Sequence, residues 1–163
     1  NRGSRPAAGT APGIYFGGSI GVSTMRLEAP DLTDEWREGA VWDLHFGWQV
    51  SPRWAVGGQF LTWGTELTLE PVHLHTIGAT FEFRPFPDRG LVVGSTTGLA
   101  LTEGELDNRA GFAQALTAGW RWPVARWIVL STRLALHGHL YSNGNALFPL
   151  VAVAGRYYGI TPD

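Results

Sequence analysis

The chain contains no cysteine and no lysine, and few of its residues carry a charge. Because cysteine is absent, disulfide scaffolds, thiolate zinc sites and thiol nucleophiles are excluded. All twelve basic residues are arginine and the formal net charge is −2, which argues against a nucleic-acid-binding surface. Charged residues make up 16% of the chain and hydrophobic residues 44%, so a disordered tail or a coiled coil is excluded. Any catalytic chemistry would depend on histidine, serine or carboxylates.

Long hydrophobic runs are also missing. The longest uncharged stretches, residues 90–102 and 134–155, are too short or too interrupted to supply the roughly 20 apolar residues of a spanning helix. The sequence therefore predicts no transmembrane helix. Its 163 residues fit one domain. We expect residues 1–12 to be a flexible lead-in, residues 13–158 to form the domain and residues 159–163 to be a short tail.

Glycine and aromatic residues are abundant and favour sheet. The chain has 22 glycines and eight tryptophans. From Gly13 onward, apolar residues recur at every second position in eight segments bounded by Gly, Pro, Asn and Asp, a pattern typical of strands and turns. These segments are residues 13–25, 40–50, 54–65, 72–84, 91–102, 111–122, 127–140 and 147–158. Each is at least as long as the roughly 9–11 residues that cross a bilayer as a tilted strand.

The connections between the segments alternate in length. They are long at residues 26–39, 66–71, 103–110 and 141–146, and short at residues 51–53, 85–90 and 123–126. Long loops at one mouth and tight turns at the other are typical of a meander closed into a barrel. The sequence therefore predicts an all-β fold, an eight-stranded antiparallel up-and-down transmembrane β-barrel.

The two faces of each strand differ in polarity. Successive side chains of a strand point to opposite sides. In the second segment one face is free of charge and comprises Ala40, Trp42, Leu44, Phe46, Trp48 and Val50, whereas the other comprises Val41, Asp43, His45, Gly47 and Gln49. The fourth, seventh and eighth segments alternate in the same way. The third and fifth segments are too rich in glycine and threonine to assign.

Composition decides which face points outward. A water-facing surface of eight strands should carry many Lys, Glu and Gln, but here the polar face is mostly small residues with a few charges. Such a face suits a narrow polar lumen. The opposite face of Leu, Val, Ile, Phe and Trp suits hydrocarbon, where one Arg at the midplane costs roughly 2–4 kcal/mol. The alternative is a soluble, lipocalin-like carrier whose apolar face lines a cavity.

Aromatic residues cluster at the ends of the predicted strands, as expected for girdles at the two membrane interfaces. One girdle, at the mouth with the short turns, comprises Trp48, Trp54, Trp120, Trp122, Trp127 and Tyr157, together with Tyr15, Phe16, Phe83, Phe86 and Tyr158. A sparser girdle at the other mouth comprises Trp36, Trp42, Trp63, Phe112, Tyr141 and Phe148.

These patterns resemble the small eight-stranded outer-membrane barrels of the OmpA transmembrane-domain type. The first segment, Gly-Ile-Tyr-Phe-Gly-Gly-Ser-Ile-Gly-Val from Gly13, is similar to that family's first strand, and residues 46–56 are similar to its strand-turn-strand repeat. The resemblance implies a bacterial outer membrane, periplasmic termini and external long loops. Such chains often end on an aromatic residue, whereas here Tyr158 is followed by five more residues.

Five charged residues project toward the predicted lumen: Asp43, Glu82, Arg121, Arg133 and Arg156. Unpaired charges there would be costly, so we expect them to pair across the lumen as a plug. Glu82, Arg121 and Arg156 should lie near the short turns, and Asp43 and Arg133 deeper. The alternative is a loosely hydrated interior with solvated charges.

Candidate catalytic and metal residues are few. His139, Ser142 and Asn143 resemble the His-x-Ser-Asn element of outer-membrane lipid A deacylases, but one extra residue separates the His from the Ser, and Asp163 is the only later carboxylate. We therefore expect no catalytic residues. The histidine pairs 73/75 and 137/139 each share a strand face, which is weak support for a metal site. We expect hydrogen bonds in the lumen or at its rim, and neither metal nor cofactor.

Most carboxylates lie in or beside the first three long loops. Ten of the fourteen are found there: Glu28, Asp31, Asp34, Glu35, Glu38, Glu66, Glu70, Glu103, Glu105 and Asp107. These acidic loops could attract divalent cations or a basic partner, although an acidic solvated loop is the commoner explanation.

The leading functional hypothesis is a non-enzymatic outer-membrane anchor or scaffold. Its expected surroundings are lipopolysaccharide and phospholipid, with a possible protein partner at the loops or the wall. A lipid A-modifying hydrolase and a narrow pore are the alternatives.

Overall fold

The chain forms one closed sheet of eight antiparallel strands. The computed structural model describes residues 11–28, 36–65, 72–104, 109–142 and 144–159. Each strand pairs with the next along the chain, and the last pairs with the first. The strands are β1 (Gly13–Glu28), β2 (Trp36–Gln49), β3 (Trp54–Thr65), β4 (Val72–Phe83), β5 (Leu91–Gly104), β6 (Ala110–Pro123), β7 (Ile128–Tyr141) and β8 (Gly144–Tyr158).

The predicted fold class is confirmed. Each of the eight predicted segments lies on one strand, and the strands follow one another as a meander. The proposed lead-in and tail lie largely outside the described residues. The described residues contain one helical turn, Pro87–Arg89, so no described helix is long and apolar enough to cross a bilayer.

The barrel has two different mouths. At the turn mouth lie the starts of β1, β3, β5 and β7 and the ends of the other strands. The turn between β4 and β5 ends on Gly90, whose φ of 77° favours glycine. The loop mouth is at the opposite end and carries the other connections.

One predicted long connection, residues 141–146, is wrong. The pairing of β7 with β8 continues through Leu140 with Asn145 to Tyr141 with Gly144, so only Ser142 and Asn143 separate the strands. The ladder continues beyond the apolar segments because backbone pairing does not need apolar side chains, so the alternation in the sequence underestimates the length of both strands.

Side chains alternate between an apolar exterior and an interior sheltered from solvent. Outward side chains of β1, β2 and β7 are well exposed, including Ile20 at 74%, Phe46 at 64% and Leu134 at 60%. This belt of Leu, Val, Ile, Phe and Trp surrounds the barrel, as expected for strands that face hydrocarbon. The faces predicted for the second, fourth, seventh and eighth segments are those of the structure.

The structure also assigns the faces of β3 and β5. On β3, Ala55, Gln59, Leu61 and Trp63 point inward and are buried. On β5, the inward side chains include Thr96, Ala100 and Thr102. The interior of an eight-stranded barrel is just wide enough to be filled by such side chains.

Candidate functional site

The half of the lumen nearer the loop mouth is filled largely by apolar side chains. This apolar layer comprises Met25, Val41, Leu61, Trp63, Val72, Leu74, Ala146, Phe148, Leu150 and Ala152, all of them buried. Trp63 fits because Gly39 lies against its ring, where a Cβ would approach the indole to 2.5 Å. The expectation of a lumen lined mainly by small polar residues is therefore wrong for this half, where bulky apolar residues on β3, β4 and β8 pack beside the buried polar side chains of His137, His139 and Thr76.

Glu82 is the centre of the charged layer below. Its carboxylate accepts two hydrogen bonds from the Arg156 guanidinium, one of them from Nη1 at 2.6 Å. Arg133 Nη2 lies 3.7 Å from Glu82 Oε1. Glu82 and Arg156 are both buried. A two-pronged pair of this kind is the strongest geometry available to arginine and a carboxylate.

Asp43 forms a second carboxylate centre linked to the first. It accepts hydrogen bonds from Ser19 Oγ and from His45 Nδ1, the latter at 2.6 Å. Arg133 Nη1 donates to Asp43 Oδ2 at 3.2 Å, and Arg156 Nε donates to His45 Nε2 at 3.0 Å. Arg133 and Arg156 therefore join both carboxylates in a single network.

A third group of polar side chains lies at the turn mouth. Arg84 donates to Gln49 Oε1 and to Tyr158 Oη, and Arg121 also donates to Tyr158 Oη. The Arg156 guanidinium stacks over the Tyr15 ring at 4.6 Å. Because the network has more guanidinium groups than carboxylates, phenol and amide oxygens accept hydrogen bonds from the Nη2 groups of Arg84 and Arg121, whereas the buried Nε of Arg121 has no hydrogen-bond partner among the described residues.

The five predicted lumen residues all point inward, but their contacts differ. Asp43, Glu82, Arg133 and Arg156 are in mutual contact, whereas Arg121 contacts Tyr158. The expected separation of Asp43 from Glu82 is bridged by the long side chain of Arg133. Sequence reasoning omitted Ser19, His45, Gln49, Arg84 and the inward Tyr15 and Tyr158 from this network. The alternation on the second and fourth segments already placed His45, Gln49 and Arg84 on the inward face.

Comparison with solved structures finds the same fold in bacterial surface proteins. Neisserial surface protein A (NspA) gives a TM-score of 0.73 at 10% sequence identity, over 95% of this chain and 100% of its own. Ail, the attachment invasion locus protein of Yersinia pestis, gives 0.61 at 13% identity, over 88% of this chain and 98% of its own. OprG from Pseudomonas aeruginosa gives 0.55 at 10% identity, over 96% and 99%.

The chain has the fold of the small outer-membrane β-barrels. No protein-family model matches the sequence, and no curated protein is significantly similar to it. The comparisons therefore assign the fold only. Any statement about function has to rest on the side chains of this barrel.

The aromatic positions of this outer-membrane-type barrel divide between wall and lumen. The girdle residues are all exposed: Trp48, Trp54, Trp120, Trp122 and Tyr157 on the outward strand faces, and Trp127 in the turn between β6 and β7. Four other predicted girdle members, Tyr15, Trp63, Phe148 and Tyr158, are buried in the lumen. The position of an aromatic residue near a strand end does not show whether it faces the lumen or the outside. The alternation along β1, β3 and β8 does show it.

The residues considered for catalysis do not form a nucleophile–base pair. His139 is buried and is hydrogen-bonded to Thr76 Oγ1 at 2.8 Å and to Tyr141 Oη at 3.0 Å. Ser142 is exposed in the turn, and Asn143 lies outside the described residues. Ser19, Asp43 and His45 adjoin one another, but Ser19 donates to the carboxylate and His45 Nε2 already accepts from Arg156. No nitrogen of His45 is therefore left to take a proton from Ser19.

His73 and His75 are on the exterior, not in the lumen. They follow the outward parity of Ile77 on β4, and their rings stack with centroids 6.4 Å apart. The structure contradicts a lumenal position for this pair. Within the described residues, no group of three or more metal-ligating side chains is present.

Proposed function

We propose that this protein is an integral outer-membrane barrel that serves as a non-conducting anchor or scaffold and carries no catalytic site. One observation carries the proposal: the lumen is filled at two levels, by the apolar layer and by the charged network. A barrel blocked twice cannot offer a continuous water column. Its useful surfaces are then the wall and the loop mouth.

The outward belt supports location in a membrane. Exposed Leu, Val, Ile and aromatic side chains occur on all eight strands, and the charged groups of the network are turned inward. The fold shared with NspA, Ail and OprG supports the outer membrane as the compartment. Lipopolysaccharide and phospholipid would surround such a wall.

We propose that the turn mouth and both termini are periplasmic and the loop mouth external. Gly13 and Tyr158 both lie at the turn mouth, and the described carboxylates Glu28, Glu38 and Glu103 lie toward the loop mouth. The other acidic loop residues are largely outside the described part of the chain. An acidic external rim would meet divalent cations or a basic protein partner.

Planar-bilayer recording tests the closed lumen. The wild-type barrel should give no large, steady single-channel steps, because both layers block water. The double substitution Glu82→Ala with Phe148→Ala removes one side chain from each layer and should raise the leak conductance. Leu147→Ala, on the outward face beside Phe148, is the matched control and should leave conductance unchanged. Steady wild-type steps would contradict the proposal.

Mass spectrometry of lipid A tests the absence of catalysis. Cells with and without the protein should yield the same lipid A species, because no described serine is paired with a free histidine. A mass loss that appears with the protein and disappears in Ser142→Ala would establish a deacylase instead.

A further inference from the structure

Three polar side chains lie close together on the outer wall, within the apolar belt. They are Ser95 and Thr97 on β5 and Gln114 on β6, all on the outward faces of their strands. Thr97 Oγ1 donates a hydrogen bond to Gln114 Oε1 at 2.7 Å, and both residues are exposed. On β1 and β2, across the barrel, the outward residues between the girdles are glycine or apolar. The belt is therefore polar on one side only.

The polar pair lies inside the hydrocarbon-facing band, not at its edge. Gln114 is six residues from Trp120, a member of the girdle at the turn mouth. At about 3.3 Å per residue and a strand tilt of about 40°, six residues place the amide roughly 15 Å from that girdle, in a band about 25 Å tall. Its neighbours on the same face of β6, Phe112 and Leu116, are exposed and apolar. The amide therefore faces acyl chains.

The Gln114 amide has donors that its own barrel does not satisfy. Oε1 accepts from Thr97, whereas Nε2 makes no hydrogen bond within the described part of the chain. An amide N–H that faces hydrocarbon is costly, because acyl chains carry no acceptor. A partner with an acceptor at this depth would remove that cost.

The wall is low around this amide. One cross-strand row consists of Ala79, Thr97, Gln114 and Gly138, with no bulky apolar side chain. An added Cβ at Gly138 would meet, among the described residues, nothing closer than a backbone oxygen at 3.9 Å. The next row toward the loop mouth is bulky throughout: Ile77, Leu99, Phe112 and Leu140. Small residues allow protein surfaces in a membrane to approach closely, and polar ones then bond across the contact.

We propose that this low row is the contact between two copies of the chain in the membrane, related by a twofold axis along the membrane normal. The inference rests on the membrane location proposed above and names a partner for the wall. Copies inserted in the same direction present Gln114 at the same depth, so the two amides meet. Nε2 of each amide donates to Oε1 of the other. Because Oε1 has two lone pairs, each copy keeps its bond from Thr97.

The amide selects a second copy over a lipid. An acyl chain offers no acceptor, and the acceptors of headgroups lie at the edge of the band, roughly 10 Å beyond the amide. A different protein would need an acceptor at this same depth. An amide is both donor and acceptor, so a second copy of Gln114 supplies what the first one lacks.

Single-molecule photobleaching in lipid vesicles tests this inference. The full chain carries one dye on Arg53→Cys, in the exposed turn between β2 and β3. Two-step bleaching should increase with the protein-to-lipid ratio. Gln114→Leu keeps the size of the side chain and should weaken the dimer about tenfold, as expected for the loss of two hydrogen bonds in a membrane. Ile20→Leu, outward on β1, is the matched control and should leave the dimer unchanged.

Cross-linking locates the contact. Leu116→Cys lies beside Gln114 on the same face of β6, whereas Ile20→Cys lies across the barrel. A bifunctional thiol reagent should yield a covalent dimer from Leu116→Cys and none from Ile20→Cys. Folding of each variant is checked by its mobility on an unheated gel.

The outcomes distinguish this inference from the proposed function. A wild-type barrel that stays monomeric at every ratio would leave the row to lipid and overturn the inference, even if the barrel inserts and remains non-conducting. A dimer that Gln114→Leu does not weaken, or equal cross-linking at both sites, would also overturn it. Failure of the wild-type chain to enter vesicles would instead overturn the membrane location itself.

Discussion

At the scale of single residues, the lumen depends on two buried carboxylates. Glu82 and Asp43 are bridged by Arg133, and Arg156 binds Glu82 directly and Asp43 through His45. Burying a charged group is costly unless it has a partner of opposite charge. Each of the two carboxylates is such a partner for a buried guanidinium group. Removing one of these buried carboxylates should therefore lower the free energy of unfolding by more than the loss of a surface ion pair would.

The substitution Glu82→Gln should lower the free energy of unfolding by about 3–5 kcal/mol, because Arg156 would stay buried without its counter-charge. Urea unfolding in lipid vesicles measures this. Glu28→Gln is the control, since Glu28 pairs with Arg26 at 3.2 Å on the surface and such pairs contribute about 1 kcal/mol or less. Equal, small losses in both variants would show that the network adds little stability.

At the scale of strands, close contacts across the sheet set which residues fit the interior. Tyr15 on β1 places its hydroxyl against Gly47 on β2 and Gly57 on β3, where an added Cβ would come within 2.6 and 2.8 Å of that oxygen. Because glycine has no side chain, these two positions leave room for the hydroxyl group of the buried Tyr15. Glycine in a strand commonly marks such a close approach.

The substitution Gly47→Ala should destabilise the barrel by about 1–3 kcal/mol, because its Cβ would overlap the Tyr15 hydroxyl and the Val56 carbonyl oxygen. Gly138→Ala is the matched control, since its Cβ would meet nothing closer than 3.9 Å. The same urea unfolding compares the two. If both variants unfold alike, Tyr15 does not constrain this part of the sheet.

The strands themselves could be predicted because alternation is strong where both faces are distinct. In β2, Phe46 and Trp48 alternate with Asp43 and His45, so the face assignment follows directly. In β3, Gly57, Gly58 and Gly64 occur on both faces, and no sequence pattern revealed that Trp63 is buried. The apolar layer was missed for this reason, since it depends on which bulky residues from distant strands meet.

The candidate site could be predicted in part. Inward charges follow from parity, but their partners depend on side-chain reach across the lumen, as with Arg133 between Asp43 and Glu82. The acceptor role of Tyr158 required the closed sheet, whereas the outward position of His73 and His75 follows from their alternation with Ile77 along β4.

At the scale of the whole molecule, one arrangement accounts for both surfaces. Apolar side chains such as Phe46, Leu130 and Leu134 cover the outside, and the charged network and the apolar layer fill the inside. A soluble carrier would need the reverse arrangement, with its apolar face around a cavity. The observed polarity is that of a barrel whose solvent is the bilayer.

The most direct test of this arrangement is the accessibility of spin labels in lipid vesicles, for which a chain without cysteine is well suited. Labels on Phe46→Cys, Leu130→Cys and Leu134→Cys should collide with oxygen dissolved in the hydrocarbon and be protected from a water-soluble paramagnetic reagent. A label on Arg53→Cys, in the exposed turn between β2 and β3, should show the opposite preference. If the three wall labels were relaxed mainly by the water-soluble reagent, the barrel would not span a membrane.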